Sequence, residues 1–247
     1  MKLERKKENH ESGEEQYDFS VKREQKKENL QSYLEKNGKK VMYISLAVIV
    51  LTLAFFLVKN YLKSSSEENR TKSSLALSRI LPYYQYGDYE RTLYGDKESR
   101  IRGEQIIGLI DIIKEYSSTD AGKTAALYAG NIFLIKDSLT EAKKYFEIAS
   151  GSDSPTVLEG AYAGLGAVLQ QEGKFTDAAG YYEKASTTAI SETSKSRYKY
   201  FTAIAYEKAG DKEKTGKMLN ELIVEHEYTE YASLAKQDLV RLGIKIE

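Results

Sequence analysis

The sequence predicts an all-α protein in which a single transmembrane helix near the N-terminus precedes a solenoid of antiparallel helix pairs. Three observations carry this. Residues 41–58 read VMYISLAVIVLTLAFFLV, eighteen positions without a charge. A self-similar stretch recurs on Ala142, Ala178 and Thr215, spaced by 36 and 37 residues. Two prolines in 247 residues, with 41% apolar content, favour long uninterrupted helices over a turn-rich β architecture, and no strand signal is evident.

The elements follow in chain order. Residues 1–40 hold eleven basic and nine acidic side chains, too polar to build a core. This charged head is expected to be disordered through about Tyr17 and helical near the membrane. There Val21, Leu30, Tyr33 and Leu34 form a short interfacial face, and Glu24, Glu28 and Glu35 weaken any attraction to anionic lipid.

Residues 41–58 are the predicted transmembrane helix. At 1.5 Å per residue they cover about 27 Å, close to a bilayer core of about 30 Å once the flanking Lys39, Lys40, Lys59 and Lys63 snorkel. A forty-residue charged lead and the lack of an A-x-A-like site argue against a cleaved signal peptide, so the segment is expected to stay as an anchor. Seven Lys/Arg precede it within about twenty residues (Lys22, Arg23, Lys26, Lys27, Lys36, Lys39, Lys40), against Lys59, Lys63, Arg70 and Lys72 after it. That places the N-terminus in the cytoplasm and the C-terminal domain outside it.

Residues 59–72 are a polar spacer or a continuation of the helix, and 73–247 form the repeat domain. Before the repeats, helices are expected over Arg70–Tyr86 and Ile101–Tyr116, with a turn-rich link between them that has room for a short helix. After them, Glu230–Leu242 carries apolar residues at helical spacing and serves as a cap.

The clearest repeat reads AYAGLGAVLQQEGKFTDAAGYYEKAS, with Tyr162 and Gly166 on a first helix, Gly173 at a turn, and Ala178, Tyr182 and Ala185 on a second. The preceding unit has Gly130, Ala142, Phe146 and Ala149, with Asp137 where the turn glycine would stand; the following one has Ala203, Gly210, Thr215, Leu219 and Leu222. Small residues let two helices approach, large ones three or four positions away fill the remaining space, and each hairpin leaves a face that the next one covers. This resembles the tetratricopeptide repeat, a helix-turn-helix unit of 34 residues, with units at about 123–156, 159–192 and 196–229.

The resemblance implies a groove lined by the first helices. The matching positions include Leu127, Asn131 and Leu134, then Gln170 and Gln171, then Arg197, Tyr200, Glu207 and Lys208. Such a groove is apolar and amide-bearing at one end and charged at the other, which suits a peptide or partner helix. Asn131 stands without the lysines of a carboxylate clamp. The tyrosines at 83, 84, 86, 89 and 94 are expected to pack the first hairpin.

Nothing composes a catalytic site. No Cys is present, which excludes disulfides, Cys-based zinc sites and thiol chemistry. His10 and His226 are the only histidines, and no phosphate loop occurs. The expectation is a non-enzyme with no cofactor, no metal and no evident small-molecule substrate. The zero net charge gives no reason to expect nucleic acid. The layout of basic head, spanning helix and exported repeats is similar to the ancillary subunit family of the bacterial SecYEG translocon. That resemblance implies an inner-membrane adaptor whose periplasmic domain meets translocon subunits, periplasmic chaperones or emerging secretory chains, with membrane lipid around the spanning helix. The other reading is a structural scaffold of an envelope complex for cell division, motility or outer-membrane biogenesis.

Overall fold

The computed structural model describes the backbone of residues 4–246, and the side chains of those residues except 4–25, 28–30, 34 and 60–64. The chain divides into two compact units, Met1–Ser65 and Ser66–Glu247. Helix α1 (Glu4–Gln85) supplies the first unit and enters the second.

In the first unit α1 begins at Glu4, within the charged head. Glu, Lys, Arg and Gln dominate there, and all of them hold a helix well without a core. Of the interfacial face predicted there, Tyr33 is exposed, while Val21, Leu30 and Leu34 lie outside the described side chains. Within α1, Glu35–Lys59 has a mean hydropathy of 2.7 and is long and apolar enough to cross a membrane, with its apolar side chains exposed. Its two hydroxyls are satisfied locally: Ser45 Oγ donates to the Val41 carbonyl at 2.6 Å and Thr52 Oγ1 to that of Val48 at 2.8 Å. That is how a polar residue avoids an unpaired group in an apolar helix.

The second unit is a run of helices. After α1 come α2 (Tyr89–Tyr94), a hairpin of β1 (Asp96–Ile101) and β2 (Glu104–Ile106), and α3 (Leu109–Tyr116). The hairpin corrects the expected helix over Ile101–Tyr116, of which only Leu109–Tyr116 is helical. The Arg102–Gly103 turn has φ of 54° and 83°, the left-handed pair that a two-residue hairpin requires and a helix cannot contain. The strands are antiparallel, with Ile101 opposite Glu104 and a register shift between Asp96 and Arg100.

Three regular pairs follow: α4 (Asp120–Ile135) with α5 (Leu139–Ala149), α6 (Pro155–Gln171) with α7 (Phe175–Thr188), and α8 (Glu192–Lys208) with α9 (Lys212–Glu225). Helix α10 (Glu230–Arg241) closes the unit. Each pair packs through the small residues read in the sequence. The Phe146 ring is fully buried between α4 and α6, where a Cβ added at Gly130 or Gly164 would come within 2.7 or 2.4 Å of it. Gly166 similarly lies against the Tyr182 ring. Ala142, Ala178 and Ala185 have no exposed surface.

Every turn between paired helices has one geometry. Asp137, Gly173 and Gly210 have φ of 57°, 76° and 80°. The residue after each sends its N–H back five positions along the chain: Ser138 to Phe133 O, Lys174 to Leu169 O and Asp211 to Tyr206 O, at 2.8–3.0 Å. This is the Schellman closure of a helix, and it needs one left-handed residue; Asp tolerates that conformation at 137 better than most side chains would.

The same closure occurs at Gly87 (φ 75°), where Asp88 N–H reaches Tyr83 O at 2.9 Å. The downstream motif is shared as well. Asp88 caps Arg91 N and its carbonyl accepts from Thr92 Oγ1, while Asp211 caps Lys214 N and its carbonyl accepts from Thr215 Oγ1. From Gly87 to Asp137 is 50 residues, against 36 and 37 between the later turns, and the excess of 14 is the length of Gly95–Gly108. The end of α1, α2 and α3 are therefore a fourth pair of the same kind, its second helix interrupted by the hairpin.

Candidate functional site

First helices of helical repeats carry the inner face, and the residues read as its lining fall into two groups. Most are engaged within the domain. Leu127 and Leu134 pack into the core between α4, α5 and α6, with Leu127 seated over Gly160. Burial raises the Tyr84 hydroxyl at the end of α1 and the nearby Asn131 amide partly offsets this, while the Tyr84 ring lies edge-on to Tyr128 at 4.7 Å. Tyr200 Oη donates to Asp238 on α10 at 2.7 Å. Burial raises the Tyr200 hydroxyl well above its usual range and the Asp238 carboxylate adds to the effect. Glu207 accepts from Arg241 at 2.9 Å, which links α8 to α10. The guanidinium of Arg197 lies 4.5 Å over the Tyr198 ring and donates to its hydroxyl at 2.7 Å, with Nε buried and unpaired.

The second group remains open. Gln170 is half-buried, Gln171 and Lys208 are exposed, and Lys208 lies over the Phe175 ring. Ile135, in the corresponding place on α4, is 61% exposed. The face the chain offers is thus a rim of amide, ammonium and aliphatic groups over a floor already hydrogen-bonded within the domain. Two positions were not read in the sequence as neighbours of this face: Tyr84 from the interrupted pair and Arg241 from the cap. The signal for the first was present, because GDYERT at 87–92 mirrors GDKEKT at 210–215.

The packing positions serve the interior. Tyr182 is buried and its hydroxyl is pushed up to about 12 by that burial. Tyr162 lies 6.3 Å from Tyr181. Of the five tyrosines at 83–94, Tyr83, Tyr84 and Tyr89 pack against the first core, whereas Tyr86 and Tyr94 are exposed.

The clefts lie elsewhere. One of about 780 Å³ runs between α9 and the segment Gly243–Lys245, with Val224 and Ile244 as its apolar wall. Another, of about 330 Å³, lies among α7, α8 and α9 and is lined by Lys195, Lys199, Glu221, Glu225 and His226. These charges are paired: Lys199 meets Glu225 at 2.8 Å and Glu221 at 3.2 Å, and His226 Nδ1 lies 2.8 Å from Glu192. Such a set ties α8 to α9 and presents no free nucleophile or base. His10 lies outside the described side chains. Among the described residues no group of three or more His, Asp or Glu is arranged to hold a metal ion.

The stacked pairs, the uniform turns and the buried small residues define a helical repeat protein of the kind that binds other proteins. The particular family follows from comparison with family models: the Iml2/Tetratricopeptide repeat protein 39 model matches residues 60–237, and the chain belongs to that family. No curated protein and no solved structure matches it.

Proposed function

We propose that the protein is a membrane-tethered adaptor of the bacterial cell envelope. It binds translocon-associated chaperones or emerging secretory polypeptides on the inner face of its repeats. The observation that carries the reading is the joining, in one chain, of a segment suited to span a bilayer and a family of protein-binding repeats. Repeat families of this type are generally non-catalytic, in keeping with a binding role. Confinement at a membrane raises the local concentration of partners, so that weak contacts at Gln171, Lys208 and Ile135 suffice. The charge asymmetry around residues 41–58 supports a cytoplasmic head and a periplasmic domain.

A structural scaffold of an envelope assembly is the second reading. It is favoured by the bonds of Tyr200 and Glu207 to α10, which fix one shape in advance. In-cell photocrosslinking from Gln171 and Lys208, with captured proteins identified by mass spectrometry, separates the two. Translocon subunits, chaperones and varied secretory chains are the expected capture. One dominant envelope protein selects the scaffold, and cytosolic proteins alone overturn the topology.

A further inference from the structure

Two features near the ends of the unit Ser66–Glu247 are built alike: each is fixed at its base and unpartnered at its tip. The first is the hairpin in the interrupted pair. Gly95 and Gly108 pinch its two ends together so closely that a Cβ on Gly108 would lie 2.3 Å from Leu93 O and 2.4 Å from Gly95 N. Asp96 is buried there; it accepts from Tyr83 Oη at 2.8 Å and from the N–H groups of Glu98 and Ser99 at 3.0 and 3.1 Å. Beyond that base every residue from Lys97 to Gly103 is exposed. Three cations, Lys97, Arg100 and Arg102, stand there against the single acid Glu98. Arg100 reaches only the Gly103 carbonyl, at 3.2 Å, and none of the three pairs with an acid among the described residues. Ile101, between the two arginines, is 39% exposed.

The second is the corner between α9 and α10. Residues 218–235 contain four glutamates and no Lys or Arg. The corner is held from within the domain. His226 Nδ1 lies 2.8 Å from Glu192 at the start of α8, and Glu225 is taken by Lys199. Thr229 bonds the His226 carbonyl at 2.8 Å and caps α10 through the Ala232 N–H. Glu227 and Glu230, by contrast, are exposed, and neither pairs with a cation among the described residues. Between them Tyr228 is 97% exposed, and Val224, one turn earlier, is exposed as well.

The two tips are opposite in charge, and each carries an apolar group. Within one chain α4 to α8, packed in sequence, stand between them. We infer that the hairpin tip of one copy docks on the α9–α10 corner of a second copy, so that repeat units associate head to tail. Arg100 and Arg102 meet Glu227 and Glu230, a pairing to which the forked guanidinium is suited, and Ile101 meets the Tyr228 ring. A second copy is the partner because the chain supplies both halves of the match in equal number. Its 37 basic and 37 acidic residues cancel overall, whereas these two sites do not. Opposite patches also speed encounter and oppose contact of two hairpins or of two corners. The contact is heterologous: each copy keeps one tip free, so association continues into a row or closes into a ring. Either way the protein-binding faces recur at a fixed spacing, and a partner with several segments is held by several copies. The inference concerns this unit alone and does not rest on the membrane-spanning reading.

Sedimentation velocity of the full-length protein in a mild detergent, over a concentration series, tests this. The wild-type chain is expected to form oligomers that weaken in about 1 M salt. A chain with Arg100→Glu and Arg102→Glu, and another with Glu227→Lys and Glu230→Lys, should each associate about tenfold more weakly. An equimolar mixture of the two should regain the wild-type association, since each reversed tip then meets its opposite. All four side chains are exposed, so both chains are expected to keep their circular dichroism. The chain has no Cys, so one introduced thiol marks one site and every link between singly substituted chains is intermolecular. With a short bismaleimide, Glu98→Cys mixed with Ser233→Cys should link about threefold more than either alone, or than either mixed with Asp153→Cys. A wild-type chain that stays monomeric at every concentration overturns the proposal. So do oligomers that survive both reversals, a mixture that fails to reassociate, or links that join 98 to 98. Crosslinking of position 98 in cells to another protein or to lipid, in place of position 233, overturns it too.

Discussion

The interrupted first pair and the regular pairs that follow share one turn but differ in how their second helix is built. In α4–α5 and α6–α7 the second helix runs unbroken, and its small residue, Ala142 or Ala178, lies against the first helix. In the first pair Thr92 occupies that place, equally buried, yet the helix stops at Tyr94 and resumes at Leu109. The chain can leave and return because two glycines let the backbones touch. The difference teaches that a repeat is defined by its turn and its buried contacts, and that a segment can be spliced into a helix where both ends meet.

The comparison can be strained at each of its parts. The largest effect is expected from Phe146→Ala, which empties a fully enclosed site between two regular helices and should cost about 3–5 kcal/mol in denaturant unfolding. Leu109→Ala, at the resumed helix, should approach this at about 2–5 kcal/mol. A loss well below 1 kcal/mol would show that the interrupted pair is not part of the cooperative unit.

Gly108→Ala forces a side chain into backbone atoms and is expected to cost about 1–3 kcal/mol or more. Deleting Gly95–Gly108 outright, which restores the 36-residue spacing, should instead leave a cooperatively unfolding helical domain. Loss of cooperativity would mean that the hairpin is an integral strut and not an insertion.

At the turns, Gly173→Ala has open space but a left-handed backbone, and should cost about 1 kcal/mol. Asp137→Gly relieves the same conformation and should be neutral or slightly stabilising, an opposite sign at equivalent positions.

A pH-dependent effect separates the pairs further. The Tyr83 hydroxyl, Ser99 and nearby backbone N–H groups hold the Asp96 carboxyl well below the usual carboxylate range. A group depressed in the folded state contributes above its unfolded value and loses that contribution as it protonates. Stability at the hairpin base should therefore fall as pH drops below about 4, and Asp96→Asn should remove that acid-dependent step. Hydrogen exchange of the 96–106 amides reads it directly. A small loss is expected for Arg241→Ala, whose half-exposed guanidinium pairs with Glu207 and Asp238: less than about 1 kcal/mol.

Much of the architecture was legible in the chain. Gly173 and Gly210 marked turns because a left-handed residue favours glycine, and Ala142, Ala178 and Ala185 marked helix contacts because only small side chains fit there. The uncharged run at 41–58 was legible as part of one helix, long and apolar enough to cross a membrane. The first pair was harder to see, since 14 extra residues displace the period that a search for repeats relies on. Nor could the sequence show the hairpin, whose strands are polar and short.

What the residues settled alone are the local, periodic properties: helices, turns, repeat length and an apolar segment of bilayer dimensions. What the tertiary structure decided is which candidate groove residues are already spent. Tyr200 bonds Asp238 across 38 positions and Glu207 bonds Arg241 across 34, and both pairings depend on which helices come to lie side by side. The closure of the hairpin on Gly95 and Gly108 belongs to the same class. Periodicity fixes which face of a helix turns inward, while the partner that meets each side chain is set by packing between segments far apart in the chain.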